Sequence, residues 1–410
     1  MNSQKTGIFY GWVVFVGLML IMLVCGTYNT MALFYTPAST DLGVSLTAFA
    51  FTATIMMVVM AVSIPFVTQI FNRINIKIFM SVTLICIAAG YYICSLAENI
   101  FVFYIVFAFF GIFIGFIMMM LVPIVINNWF VAKASTLIGI CSSTLACGGA
   151  ILSSLGGWLI ENYGWRFCFQ VWAVITLIVG IPVTVLILRK DPDELGLKPY
   201  GSEDLNTSPE GGPQAEDTAS EPAGKAKSLT GFYTMAIIVT LTAAANVFYP
   251  FINSYLLAQG ISTTLAGSAN SGLMIGGILG YIIIGMICDR SQTAGILVCI
   301  GASIIAYPAL TLFGRSIPLI MASSFLVGIT YQPSLGVLGP TVANRTFGAL
   351  NFSRAWSIMV TCISVSGAVA STGWSFIIDL FGYSGGMIIT TVFYIISLIL
   401  LLGLTRRFGK

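Results

Sequence analysis

Histidine is absent from this 410-residue chain, and charge is scarce. Without histidine there is neither the commonest metal ligand nor the usual proton shuttle near neutral pH. Asp, Glu, Lys and Arg make up 8% of the residues, whereas a soluble domain carries about 25%. A surface so poor in charge faces lipid. The net charge of +3 offers nothing to attract a nucleic acid. The nine cysteines sit in or beside apolar runs without a CxxC pair. They read as small packing residues, not as a disulfide frame or metal site, and nothing calls for a cofactor. Long polar stretches are rare too: the single one runs from Arg189 to Ser228.

What the chain has is apolar length. Hydrophobic residues are 58% of it, and a spanning helix needs about 20 in succession. Twelve runs qualify, at about 11–35, 46–70, 78–97, 100–126, 134–160, 166–188, 230–258, 263–287, 293–313, 317–340, 353–378 and 384–405. The run from Trp12 is too long for a signal h-region and reads as the first span. Asp191-Pro192-Asp193-Glu194 opens the polar stretch, and a tract rich in Ser, Pro, Gly and Glu follows. Such a composition buries too little apolar area to fold. The expected organisation is therefore a six-helix bundle over 1–188, a cytoplasmic flexible linker over 189–229 and a second six-helix bundle over 230–410.

Lys and Arg placement sets orientation. With the N-terminus inside, Lys5, Arg73, Lys77, Lys133, Arg189, Lys190, Lys198, Lys225, Lys227, Arg290, Arg345, Arg354, Arg406, Arg407 and Lys410 are cytoplasmic, and only Arg166 and Arg315 are external. The expectation is a multi-pass protein of the plasma (inner) membrane with both termini cytoplasmic. The lipid bilayer and a small solute are its partners, and the sequence leaves the oligomeric state open, a monomer being compatible with it.

The two halves match in register. Asn72-Arg73 falls on Asp289-Arg290, with 290 − 73 = 217. Pro123, Asn127 and Phe130 fall on Pro340, Asn344 and Phe347, with 340 − 123 = 217. Asn29 falls on Asn246 at the same offset, and Gly157-Trp158 on Gly373-Trp374 at 216. Ordered matches at helix ends in one register indicate duplication. A parallel six-plus-six repeat is a transporter architecture. The fold class is thus an all-α membrane protein of twelve transmembrane helices in two pseudo-symmetric six-helix bundles.

These features resemble the major facilitator superfamily. Within it, Phe9-Tyr10-Gly11-Trp12-Val13-Val14 is similar to the opening of the oxalate/formate antiporter and monocarboxylate transporter branch. Tyr163-Gly164-Trp165-Arg166, Asp191-Pro192 and Lys198-Pro199-Tyr200-Gly201 support the likeness. The superfamily's loop motif, Gly-x-x-x-Asp-Arg, is degraded to Gln69-Ile70-Phe71-Asn72-Arg73 but survives as Gly285-Met286-Ile287-Cys288-Asp289-Arg290. The resemblance implies transport of small carboxylates. The branch often places a cation in the first, eighth or eleventh span. Here Tyr28-Asn29-Thr30 holds none, the eighth span is uncharged from Thr264 to Cys288, and the eleventh carries only Arg354 near one end.

A buried proton relay has no evident carrier without histidine or a mid-membrane carboxylate. Exchange, facilitated diffusion or protonation of the substrate fit better. A binding site must then use neutral groups. Tyr28 and Tyr35 are seven residues apart and share a face of one continuous helix. Asn29 and Asn246 need partners in lipid. Tyr331-Gln332-Pro333 joins a proline that frees a carbonyl to two polar side chains, and Asn270 is the chief polar residue of the eighth span. Tyr28, Asn29, Tyr35, Asn246, Asn270, Tyr331 and Gln332 are the substrate-binding candidates, with interhelical hydrogen bonding as the plainer role. Arg73, Asp289 and Arg290 are the gating candidates, with helix capping as the plainer role. The glycines of the fifth span (Gly148, Gly149, Gly156, Gly157) and eighth span (Gly272, Gly276, Gly277, Gly280) read as packing positions.

The leading reading is a transporter for a small organic anion, foremost a monocarboxylate. A carrier or exporter of neutral or amphipathic solutes is the alternative on the same fold. A membrane-embedded enzyme or sensor is the alternative of another class. An enzyme would need converging acid, base, nucleophile or metal groups, which the sequence does not bring together, and a sensor usually carries a folded signalling domain, whereas the linker reads as disordered.

Overall fold

Backbone in hydrocarbon has no water to bond, so each apolar run closes its N–H and C=O groups within itself as a helix. The structure, a computed structural model, describes residues 9–201, 222–249, 251–252, 255–256, 259, 263–313 and 316–408. Among these, ten helices are long and apolar enough to cross a membrane, from Tyr10–Asn29 to Phe376–Arg406. The other two expected spans are shorter or interrupted. The seventh is the apolar helix Gly231–Asn246, part of a helix that starts at Pro222. The tenth runs Ile317–Tyr331 and then passes into a π-helical turn at Ser334–Leu338. The fourth span carries the same irregularity at Ile117–Leu121. The two turns share the repeat register (334 − 117 = 217), and Pro123 and Pro340 follow them at one spacing. π-turns inside α-helices occur often at functional sites.

The chain divides into two compact units. The first comprises Met1–Met56, Gln69–Ala132 and Thr144–Pro209, and the second Met57–Thr68, Lys133–Ser143 and Glu210–Lys410. They follow the two halves except for one piece each of the second and fifth spans.

Two expectations need correction. The first span does not continue to residue 35. Its helix ends at Asn29, a 3-10 turn covers Met31–Phe34, and Tyr35–Asp41 is a separate short helix. The Thr30 N–H turns back to the Thr27 carbonyl at 3.2 Å, the Thr30 hydroxyl bonds that carbonyl at 2.7 Å, and Trp172 Nε1 donates to Thr30 Oγ1 at 3.1 Å. These bonds fix the break, so Tyr28 and Tyr35 do not share a continuous helix.

The stretch after the sixth span is not a flexible linker from its first residue. Arg189 to Gly201 forms an ordered strap across one end of the first unit. Asn128 Nδ2 donates to Asp191 Oδ1 at 2.6 Å, and Trp129 Nε1 to the Arg189 carbonyl at 3.1 Å. Tyr200 N donates to the Trp129 carbonyl at 2.8 Å, and Val131 N to the Tyr200 carbonyl at 3.0 Å, a short parallel bridge. The Tyr200 ring joins Phe9, Trp12 and Phe130, with centroids 5.7–5.9 Å away. Backbone pairing and aromatic packing order a segment whose composition alone could not. Burial raises the Asp191 carboxyl above its ordinary range. Residues 202–221 of the expected linker lie outside the described residues.

At the other end of the first unit, Arg166 pairs with Asp41, donates to the Ala97 carbonyl at 3.1 Å and lies 4.3 Å over the Trp165 ring. Gly164, at φ 83°, makes the sharp turn into the sixth span that no other residue adopts as easily.

Candidate functional site

In the first unit, Tyr28 is half-buried and Asn29 exposed at the end of the first span. Glycines let this helix approach the fifth span. A Cβ at Gly148 would lie 2.4 Å from the Leu23 carbonyl oxygen, and one at Gly26 would lie 2.5 Å from the Gly148 carbonyl carbon. A Cβ at Gly149 would lie 2.8 Å from Asn29 Cβ, so Asn29 stands in space that the glycine leaves. Tyr35 packs edge-on to Phe49, with centroids 5.4 Å apart.

In the second unit, the repeat partner of Asn29 sits differently. Asn246 is 6% exposed, and both of its amide atoms have protein partners. Its Nδ2 donates to the Tyr331 carbonyl at 2.8 Å and to Ser334 Oγ at 3.2 Å, and Tyr394 OH donates to its Oδ1 at 2.6 Å. Asn246 therefore ties the seventh span to the irregular part of the tenth and to the twelfth. The Tyr249 and Tyr331 rings lie 4.8 Å apart beside it. Asn246→Ala removes the shared partner of the Tyr331 carbonyl and of the Ser334 and Tyr394 hydroxyls and is expected to cost about 2–4 kcal/mol. Thermal unfolding in detergent checks this, and an unchanged midpoint would remove Asn246 as the tie.

Gln332 is half-buried, and its Oε1 would lie 3.4 Å from a Cβ at Gly277. Gly276 and Gly328 bring the eighth and tenth spans together, since a Cβ on either would lie 2.2 Å from a carbonyl oxygen of the other helix. The side chain of Asn270 lies outside the described part of the molecule.

The candidate gate is a seam within the second unit. Asp289 caps the start of the fifth span: Oδ1 accepts from Ser135 N at 2.9 Å, Oδ2 from Thr136 N at 2.9 Å, and Thr136 Oγ1 also donates to Oδ2. A carboxylate there meets unpaired N–H groups and the positive end of the helix dipole. Below the cap, a Cβ at Gly139 would strike the Tyr281 carbonyl oxygen at 2.0 Å, and Ser143 Oγ donates to the Ile278 carbonyl at 3.1 Å. Arg290 is exposed. Arg345, not singled out from sequence, donates to the Cys288 carbonyl at 3.3 Å and to Gln292 Oε1 at 3.5 Å. In the first unit, Asn72 stands at the position of Asp289 and accepts from Lys190 Nζ at 3.2 Å, while Arg73 is exposed.

A groove of about 500 Å³ lies in the second unit, lined by Thr240, Ala244, Cys362, Ser366, Gly373 and Trp374 among others, none of them charged. No charged or histidine–cysteine cluster fit for a metal occurs among the described residues.

The Major Facilitator Superfamily model matches residues 14–290 and 232–409. The chain belongs to that superfamily. It is accordingly a multi-pass membrane transporter rather than an enzyme. No curated sequence matches the chain. Solved structures similar to this superfamily member include a proton:xylose symporter bound to 6-bromo-6-deoxy-D-glucose, with TM-score 0.69 at 13% identity, covering 96% of this chain and 95% of that one. The human organic anion transporter TETRAN gives 0.70 at 14% identity over 95% and 98%. The E. coli fucose:proton symporter gives 0.67 at 13% over 95% and 98%. Identities this low show a shared fold.

Proposed function

We propose that this transporter carries a small organic anion, foremost a monocarboxylate, across the plasma membrane by alternating access, with both termini cytoplasmic. One observation carries the reading. Phe9-Tyr10-Gly11-Trp12 and Lys198-Pro199-Tyr200-Gly201, two segments of the branch resemblance, pack together as one aromatic cluster with Trp129 and Phe130. Scattered chance matches have no reason to meet. The organic anion transporter among the fold neighbours is in keeping with it.

A carboxylate is held here by neutral donors. In the first unit Tyr28, Asn29 and Tyr35 offer hydroxyls and an amide; in the second, Gln332 and Asn270 offer amides, and Asn246 and Tyr331 position the tenth span. Without a fixed cation, one anion leaving as another enters keeps the pathway electrically balanced, so exchange is the favoured mode. Asp289 acts as the latch on the fifth span, Arg345 braces its turn, and Arg290 in the second unit and Arg73 in the first add exposed positive charge.

Binding of a panel of carboxylates and neutral solutes, read as stabilisation of the purified protein against heat, tests the reading. Asn29→Ala is expected to weaken the preferred carboxylate about tenfold, the loss of one hydrogen bond to a charged group. Stabilisation by neutral solutes alone would transfer the proposal to a neutral or amphipathic cargo, the reading that the uncharged groove favours.

A further inference from the structure

The seventh and eleventh spans of the second unit lack, at the aligned positions, the glycines with which the first and fifth spans approach each other in the first unit. Leu23 corresponds to Thr240 and Gly26 to Ala243 at offset 217, and Gly148 and Gly149 correspond to Ser364 and Val365 at the offset of 216 that aligns Gly157-Trp158 with Gly373-Trp374. In the first unit Gly26 and Gly148 bring backbone against backbone, within 2.4–2.5 Å of where a Cβ would stand, and Gly149 leaves room for the Asn29 side chain. In the second unit the aligned positions carry side chains, and the two helices meet through Ser366 Oγ, which donates to the Thr240 carbonyl. The groove of about 500 Å³ opens beside this contact, with Thr240, Val365 and Ser366 on its wall. Its volume is within the roughly 300–1,000 Å³ of small-molecule pockets.

Every hydroxyl and the indole N–H of the described lining is already used, which leaves the weakly donating Cys362 thiol as its one other polar hydrogen. Thr240 Oγ1 donates to the Ala236 carbonyl at 2.7 Å, Ser366 Oγ to the Thr240 carbonyl at 2.7 Å and Thr361 Oγ1 to the Ser357 carbonyl at 3.2 Å. Trp374 Nε1 donates to the Ala244 carbonyl at 2.7 Å. What remains is hydrocarbon, an indole face and bare space at Gly373, where a Cβ would meet nothing within 4 Å. Ala244, on the groove wall, is two residues from Asn246, which ties down the irregular turn of the tenth span.

We propose that this groove is a subsite for the hydrocarbon part of the transported solute, so that the cargo is an organic acid with an apolar tail rather than a two-atom or three-atom anion. The inference rests on the organic-anion reading for the acid group alone. Placing each methylene of the tail in the groove strengthens binding roughly fourfold.

The test measures competition by formate, butyrate, hexanoate and octanoate in proteoliposomes, in the unaltered protein and in Gly373→Leu, whose side chain fills the groove. Alkylation of Cys362, a half-buried thiol on the groove wall, is followed in parallel by peptide mass spectrometry. The expected result is affinity rising with chain length in the unaltered protein, loss of that dependence in Gly373→Leu, and Cys362 alkylation slowed at least fivefold by octanoate but not by formate. The Cys362 measurement stands if the leucine variant fails to fold. Affinity independent of chain length would overturn the proposal. So would Cys362 protection that follows the acyl chains of the bilayer and ignores every solute, since the groove would then seat lipid. If no carboxylate competes but octanol slows Cys362 alkylation and is carried, the groove stands and the anion reading falls.

Discussion

Asp289→Ala is expected to release the start of the fifth span and to slow transport roughly 10–100-fold. The carboxylate accepts three hydrogen bonds from Ser135 and Thr136 at a helix N-terminus. Hydrogen bonds to a charged group contribute about 1.5–3 kcal/mol each, and the helix dipole adds up to about 1–2 kcal/mol in partly buried geometry. Losing even one to two such contributions shifts a two-state equilibrium by about one to two powers of ten. Asp289→Asn keeps the shape and one acceptor oxygen, so its effect falls in between. Hydrogen exchange of the peptide covering 133–143, read by mass spectrometry, reports the latch directly. Faster exchange in Asp289→Ala, with the rest of the molecule protected as before, is the predicted result. Unchanged exchange and unchanged flux would remove Asp289 from the gate.

Gly148→Leu is expected to be the most damaging single change in the first unit. The obstacles to its side chain are the Leu23 carbonyl oxygen and Cα, at 2.4 and 2.9 Å from the added Cβ. Both are backbone and cannot rotate away. Overpacking of a core commonly costs 1–3 kcal/mol, and separating two helix backbones exceeds that range, so about 3 kcal/mol or more is lost. Gly157→Leu is the matched control, because a Cβ at Gly157 meets nothing within 4 Å. Thermal unfolding and size-exclusion profiles of the two variants separate the positions. Equal behaviour would show that the first and fifth spans do not depend on the glycine contact.

The helices and the duplication were legible because both write themselves in hydrophobic length and in Pro, Asn and Gly at fixed positions. The register of 217 reappears in the paired π-turns. The break after Asn29 was not legible, since threonine hydroxyls bonded to nearby carbonyls look from sequence like ordinary polar helix positions. The strap was hidden for another reason. Its order comes from pairing with Trp129–Val131, about 70 residues earlier in the chain, while its own composition is polar. At the candidate site, sequence picked Asn246 and Asp289 by residue type, and their partners were out of its reach. Tyr394 lies 148 residues from Asn246, and Ser135 lies 154 from Asp289. The groove was invisible for the same reason, because its walls come from residues as far apart as Thr240 and Ser366, 126 residues along the chain.

Counterflow in proteoliposomes tests the central claim most directly. Purified protein is reconstituted with unlabelled butyrate or octanoate inside, and a trace of the labelled acid is added outside. Carrier-mediated exchange predicts a transient accumulation of label that protein-free vesicles lack and that Asp289→Ala slows. Equal label in vesicles with and without protein, for every carboxylate tried, would contradict the assignment of this transporter to organic anions.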